Sequence, residues 1–238
     1  MRLRYLLFAL LLLPQVAFAT DKVHLVAVGI SDYPGTANDL NLPTKDAQAM
    51  KWLYEKNSNA VTYILLNREA TKSAIIDAIK TTFKYSSTDD IIVFFFSGHG
   101  YKGGFMAYDG CLSYDEVRNA MNTSHCKNKM IFADACFSGK MRQGGRPVKE
   151  EHKRSNVMLF LSSRDNETSI ERRDMQNGFF TTALLDALRG KADINRDRKV
   201  TASELFKYVS YHVKKLSSNK QHPVMWGHFS DDMPVLVW

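Results

Sequence analysis

The chain has 238 residues, 45% hydrophobic and 24% charged, enough for one globular domain with a sizeable core. Its 32 basic residues against 25 acidic ones become 30 against 25, near +5, once Arg2 and Arg4 at the amino terminus are set aside. That surplus forms no basic stripe interleaved with aromatics, so scattered surface lysine accounts for it and a nucleic-acid partner is excluded.

Residues 1–19, "MRLRYLLFALLLLPQVAFA", put two arginines ahead of an apolar centre from Tyr5 to Leu13 and close on Ala17-Phe18-Ala19. The small-x-small ending reads as the cleavage site of a secretory signal peptide. The protein is therefore expected to be exported, periplasmic or secreted, with 22–238 as its single domain. Pro14 and Gln15 interrupt the apolar run short of the roughly 20 residues a span requires, so no stable membrane anchor is expected.

Beyond the leader, "VHLVAVGI" (23–30) reads as a buried strand and "SDYPGTANDLNLP" as the loop after it. A helix is predicted from Thr44 to about Lys56, a second strand at "VTYILL" (61–66), and an amphipathic helix at 71–83 from the spacing of Ile75, Ile76, Ile79 and Phe83. The third strand is "IIVFFF" (91–96), whose apolar run stops on Ser97-Gly98-His99-Gly100, where the backbone is expected to loosen. Ser113 and Glu116 have capping-box spacing for a helix reaching about Asn122. "KMIFADA" (129–135) and "NVMLFLSS" (156–163) supply the fourth and fifth strands, and helices are predicted at 178–190 and 202–216.

Short apolar strands alternating with helices predict an α/β fold, a three-layer αβα sandwich on a mainly parallel sheet of about six strands. The stretch 140–156, "KMRQGGRPVKEEHKRSN", lacks apolar periodicity and reads as an exposed charged loop. Three cysteines in an exported chain leave at least one thiol over. Cys111 and Cys126 bracket a helix roughly 15 Å long, and whether they pair stays open.

Sites in open parallel sheets form beyond the carboxyl ends of the strands. Two successive predicted strands end there on reactive side chains, His99 in "SGHG" and Cys136 in "DACFSG". At a neighbour spacing of about 4.8 Å the two can share a cleft. A cysteine attacks as its thiolate, which a histidine favours as base or imidazolium, and the same histidine can protonate a leaving amine. The amides of Gly100 and Cys136 are the natural oxyanion donors.

A second constellation is "DINRDRKVTASE" (193–204), which sets Asp193, Asn195, Asp197, Thr201 and Glu204 at EF-hand-like spacing and makes calcium a candidate ion. Arg198 stands where such a loop wants glycine. Thr201 with Glu204 is also a capping box that starts the last helix with no metal.

"FFFSGHG" followed by "DACFSG" resembles the histidine and cysteine motifs of the caspase-like cysteine peptidases, a caspase-hemoglobinase-like fold, and the acidic residue two before the cysteine is similar to metacaspases and their bacterial relatives. "VGISDYPGTANDLNLPTKDAQAM", "YDGCLSYDEV" and "GFFTTALLDAL" resemble flanking segments of the same family. The resemblance implies a His99–Cys136 dyad and assigns Asp46 and Asp134 to the pocket for the residue before the cleaved bond. A carboxylate pair there favours Arg or Lys, so the implied substrate is a peptide or protein with a basic residue before the cut. It also implies self-processing at Arg142, Arg146, Lys153 or Arg154, which follow the cysteine motif, although a plain solvated loop reads equally well. No acidic residue closely follows "CFSG", where calcium-dependent metacaspases carry one, so activation of that kind is not expected; no organic cofactor is implied. The rival readings are a silent caspase-fold scaffold, a calcium-binding interaction module, and a redox-sensing or transferase cysteine; oligomeric state is not legible.

Overall fold

A computed structural model of the chain describes residues 22–137, 156–164 and 175–237, with the backbone alone at 136 and 137. The predicted signal segment 1–19 and the four candidate processing residues Arg142, Arg146, Lys153 and Arg154 lie outside the described residues.

The central path of the sheet runs β2 (Ala60–Leu66), β1 (Val23–Gly29), β3 (Ile91–Tyr101), β6 (Asn128–Phe137), β7 (Val157–Leu161) and β9 (Val224–Trp226). The first five are mutually parallel and β9 runs antiparallel along β7. The apolar runs divide by parity, as side chains alternate across a strand. Ile91, Val93 and Phe95 join Met130 and Phe132 in a core under α1 (Pro43–Asn57), α4 (Phe179–Asp186) and α5 (Ala202–Leu216). Ile92, Phe94 and Phe96 join Ile131 and Ala133 in the opposite core, under α2 (Lys72–Phe83) and α3 (Tyr114–Met121). A run apolar at every position is what a strand covered on both faces requires. The result is the three-layer sandwich that the alternation predicts.

The helix starts are chemically specified. Thr71 Oγ1 accepts the Ala74 amide at 3.3 Å, and Ser113 with Glu116 and Thr201 with Glu204 both form complete capping boxes.

Two features depart from the sequence reading. β3 does not loosen at Ser97. It continues in register with β6 as far as Gly100 opposite Phe137, and where β1 stops, β4 (Gly104–Ala107) takes up its free side from Gly100 on. His99 therefore sits inside a ladder. The sequence also hides the hairpin of β4 with β5 (Gly110–Ser113), and a small antiparallel pair of β8 (Lys199–Thr201) with β10 (Pro234–Val237). All four are three or four residues long, too short for a periodic signal. The pairing that the sequence leaves open is decided: Cys111 and Cys126 are both free.

Candidate active site

Parity carries the last turn of the core into chemistry. On β3, Ser97 and His99 follow Phe95 on the α1 and α4 face, and their register partners on β6 are Asp134 and Cys136. Strand pairing thus sets the histidine and cysteine positions opposite each other at the carboxyl end of the two central strands.

His99 is held from two sides by the segment that follows β1. Its Nε2 lies 2.7 Å from the carbonyl oxygen of Asn38, at the end of the short 3-10 turn Thr36–Asn38. A carbonyl only accepts, so Nε2 carries a hydrogen, and in the neutral ring Nδ1 carries the lone pair. Nδ1 is buried and has no hydrogen-bond partner among the described residues. The His99 amide donates to the Tyr33 hydroxyl at 2.9 Å, and that hydroxyl donates to the Met106 carbonyl on β4 at 3.0 Å. The Tyr33 and His99 rings stand 4.8 Å apart, tilted by 46°. Glycine at 98 is what permits this, since a Cβ there would come within 2.6 Å of the Tyr33 hydroxyl.

Two carboxylates lie beneath. Asp46, in the first turn of α1, is 1% exposed and accepts from Asn177 Nδ2 at 2.9 Å, the Gly178 amide at 3.1 Å and Ser97 Oγ at 2.8 Å. Burial, and then the charge of Asp134, raises its pKa well above the ordinary aspartate value, against the pull of those three hydrogen bonds. Asp134 is 9% exposed and accepts the amide and the hydroxyl of Thr181, at 3.0 and 2.8 Å. Gly178 approaches it so closely that a Cβ would fall 2.3 Å from Asp134 Oδ2, so the start of α4 is built around this carboxylate. Asp46 and Asp134 thus lie close enough to interact, with Asp46 the deeper of the two.

Residues 22–233 match the model of the caspase domain, a peptidase family. The chain belongs to the caspase-domain family. Among solved structures the fold is similar to protein GSU0716 from Geobacter sulfurreducens, with a TM-score of 0.63 and 18% identity over 87% of this chain and 94% of that one. No curated protein matches the sequence.

Sequence reasoning about this caspase domain missed Asn38, Tyr33, Asn177 and Thr181. Tyr33 and Asn38 lie in the stretch read only as a loop, and Asn38 contributes a backbone carbonyl, which no side-chain pattern announces. Gly100, the other expected oxyanion donor, is paired in register on both sides, with Phe105 and with Phe137.

The candidate calcium loop of the caspase domain is closed by its own hydrogen bonds. The Asp193 carboxylate accepts the amides of Asp197 and Arg198 at 3.2 and 3.1 Å, and Asp197 accepts that of Lys199 at 2.9 Å. Glu204 accepts the amide and the hydroxyl of Thr201 at 3.0 and 2.8 Å. Among the described residues no three His, Cys, Asp or Glu side chains stand together as metal ligands. As folded, the Asp193, Asp197 and Glu204 carboxylates are engaged by the chain's own amides, Thr201 with Glu204 starts α5, and no chemistry is routed through a metal.

Proposed function

We propose that this caspase domain is an exported cysteine endopeptidase that cuts peptide bonds after Arg or Lys. The observation that carries the reading is the register pairing of His99 with Cys136, joined to a His99 ring that spends one nitrogen on Asn38 and keeps the other.

The Cys136 thiol gives its proton to His99 Nδ1, and the thiolate attacks the peptide carbonyl carbon to form a C–S bond. The imidazolium is stabilised by its Nε2 hydrogen bond to the Asn38 carbonyl. The amide of Cys136 holds the oxyanion. When the C–N bond breaks, the proton on Nδ1 passes to the leaving amine. Water, deprotonated by the same nitrogen, then hydrolyses the thioester and returns the thiol. Asp46 and Asp134 support the preference for a basic residue, because two buried carboxylates that repel each other are both relieved by a cation.

The test is turnover of short peptides that differ only in the residue before the cleaved bond, by the wild type and by Cys136→Ala. Cleavage after Arg or Lys that disappears in the variant supports the proposal. Equal turnover by both removes the dyad, and a preference for Asp removes the pocket assignment while leaving the chemistry.

A further inference from the structure

The strands alone do not orient the histidine. β1 ends at Gly29, opposite Ser97, so at His99 that side of β3 has no sheet neighbour until β4 begins at Gly100. The gap is filled by the Tyr33 hydroxyl, which takes the His99 amide and passes its own hydrogen to the Met106 carbonyl, closing a bridge from β3 to β4 through one side chain. Met106 belongs to the β4–β5 hairpin, so the bridge joins three separate segments.

The loop that brings Tyr33 there is itself tied down from a distance. Asn67, just after the edge strand β2, sits in the left-handed region with φ 48°, and its Oδ1 accepts the amides of Ser31 and Asp32 at 2.9 and 3.1 Å. Asp39 Oδ1 accepts the Tyr33 amide at 3.3 Å, and the Leu40 amide donates to the Ser31 carbonyl at 2.8 Å. The segment so closed carries both Tyr33 and Asn38, which between them touch the backbone, ring face and Nε2 of His99.

We infer that Tyr33 is a positioning residue for His99 and that Asn67 acts one step further out, by fixing the loop that carries Tyr33 and the Asn38 carbonyl. The inference rests on the dyad reading above. Tyr33 acts through the His99 backbone and ring. It fixes where β3 sits at residue 99, and so where Nδ1 stands relative to the neighbouring strand.

Tyr33→Phe is the sharp variant, because it keeps the ring against His99 and leaves the His99 amide and the Met106 carbonyl without their shared partner. Two readouts are taken: kcat and KM on a peptide ending in Arg, and the pH dependence of Cys136 alkylation by iodoacetamide, mapped by mass spectrometry so that Cys111 does not contribute. The expected result is a kcat lowered between about 5- and 100-fold with KM nearly unchanged, as displacement of a catalytic group produces. The Cys136 alkylation midpoint should also rise toward that of a free thiol, near 8.5. Asn67→Gly keeps the left-handed backbone and removes the acceptor, and should show the same split at smaller size. A purely structural role would change the yield of folded protein or its melting temperature without moving the alkylation midpoint of the folded fraction.

A Tyr33→Phe protein that is folded, with wild-type kcat and midpoint, overturns the inference and leaves the dyad standing. A wild-type Cys136 that alkylates as a free thiol removes the dyad, and the positioning with it. A wild type that turns over no peptide yet keeps a lowered midpoint still decides the matter through alkylation alone.

Discussion

At the amino end of the sheet, His24 on β1 lies 3.1 Å from Asp90 and 3.2 Å from the Thr82 carbonyl, while the buried Cys126 thiol donates to the Asp90 carbonyl at 2.8 Å. At the carboxyl end, His99 on β3 faces Cys136 in register, with Asp134 two residues before it. The same three residue types occur at both ends, and the hydrogen bonding of the two histidines differs. Both ring nitrogens of His24 already have an oxygen partner, so neither is left over. Burial pushes the Cys126 thiol up to about 11, out of range of a nucleophile at neutral pH. His99 has one acceptor, and its second nitrogen is free among the described residues. Of the two histidines, His99 is the one whose hydrogen bonding leaves a nitrogen over, and on the proposed reading that nitrogen is the base.

The largest expected effect tests that difference directly. Cys136→Ala should lower peptide turnover by about 1,000-fold or more, whereas Cys126→Ala should leave kcat within about twofold of wild type. A comparable loss in both, measured per folded molecule, would mean that the two ends are not distinct. Next in size is Asp134→Asn, for which kcat/KM on Arg or Lys peptides should fall about 10- to 100-fold, the loss of one hydrogen bond to a charged group, with little change on a neutral residue.

The two carboxylates should also differ in the sign of their effect on stability. Burial works to raise the pKa of Asp90, but hydrogen bonds from Ser87, His24 and Lys22 outweigh it and hold the group below its ordinary value. A lowered folded pKa stabilises above the unfolded pKa and loses that contribution as pH falls through the folded one. Asp46 is raised, so its folded state binds the proton more tightly than the unfolded chain does, and stability falls as pH rises from the ordinary aspartate range through the folded value. Melting temperature against pH should therefore show Asp90→Asn less stable than wild type at neutral pH, the gap closing on acidification. Asp46→Asn can keep the Asn177 and Gly178 bonds on its oxygen and donate to Ser97 from its nitrogen. It should melt at or above wild type at neutral pH and lose any advantage in acid; the same sign for both variants would contradict the assignment.

The smallest effect is on thiol access. Cys111 is exposed and Cys126 buried, so a thiol reagent should label Cys111 in the native protein and Cys126 only on unfolding. Labelling of both at equal rates would show that the amino end is open.

Much of this was legible before the fold was known. The five parallel strands, the five helices and two capping boxes follow from periodicity and local chemistry, because each is decided within a dozen residues. His99 and Cys136 stood out because each ends an apolar run in a small-residue turn. Asn38 and Tyr33 did not, since their function depends on reaching residues 61 and 66 positions away. The partners of the 193–204 loop were hidden for a related reason: spacing counts donors without showing that Asp193 and Glu204 accept backbone amides of the chain itself.

The sequence by itself determined the layers and the parity, and parity put residues 97 and 99 on the face under α1. A strand apolar at every position must be buried on both sides, and alternation does the rest. Only the tertiary structure decided register, which made residue 136 the partner of His99, and only it decided which histidine nitrogen meets an acceptor. Both depend on the distance between segments remote in sequence, which packing sets and local propensity cannot.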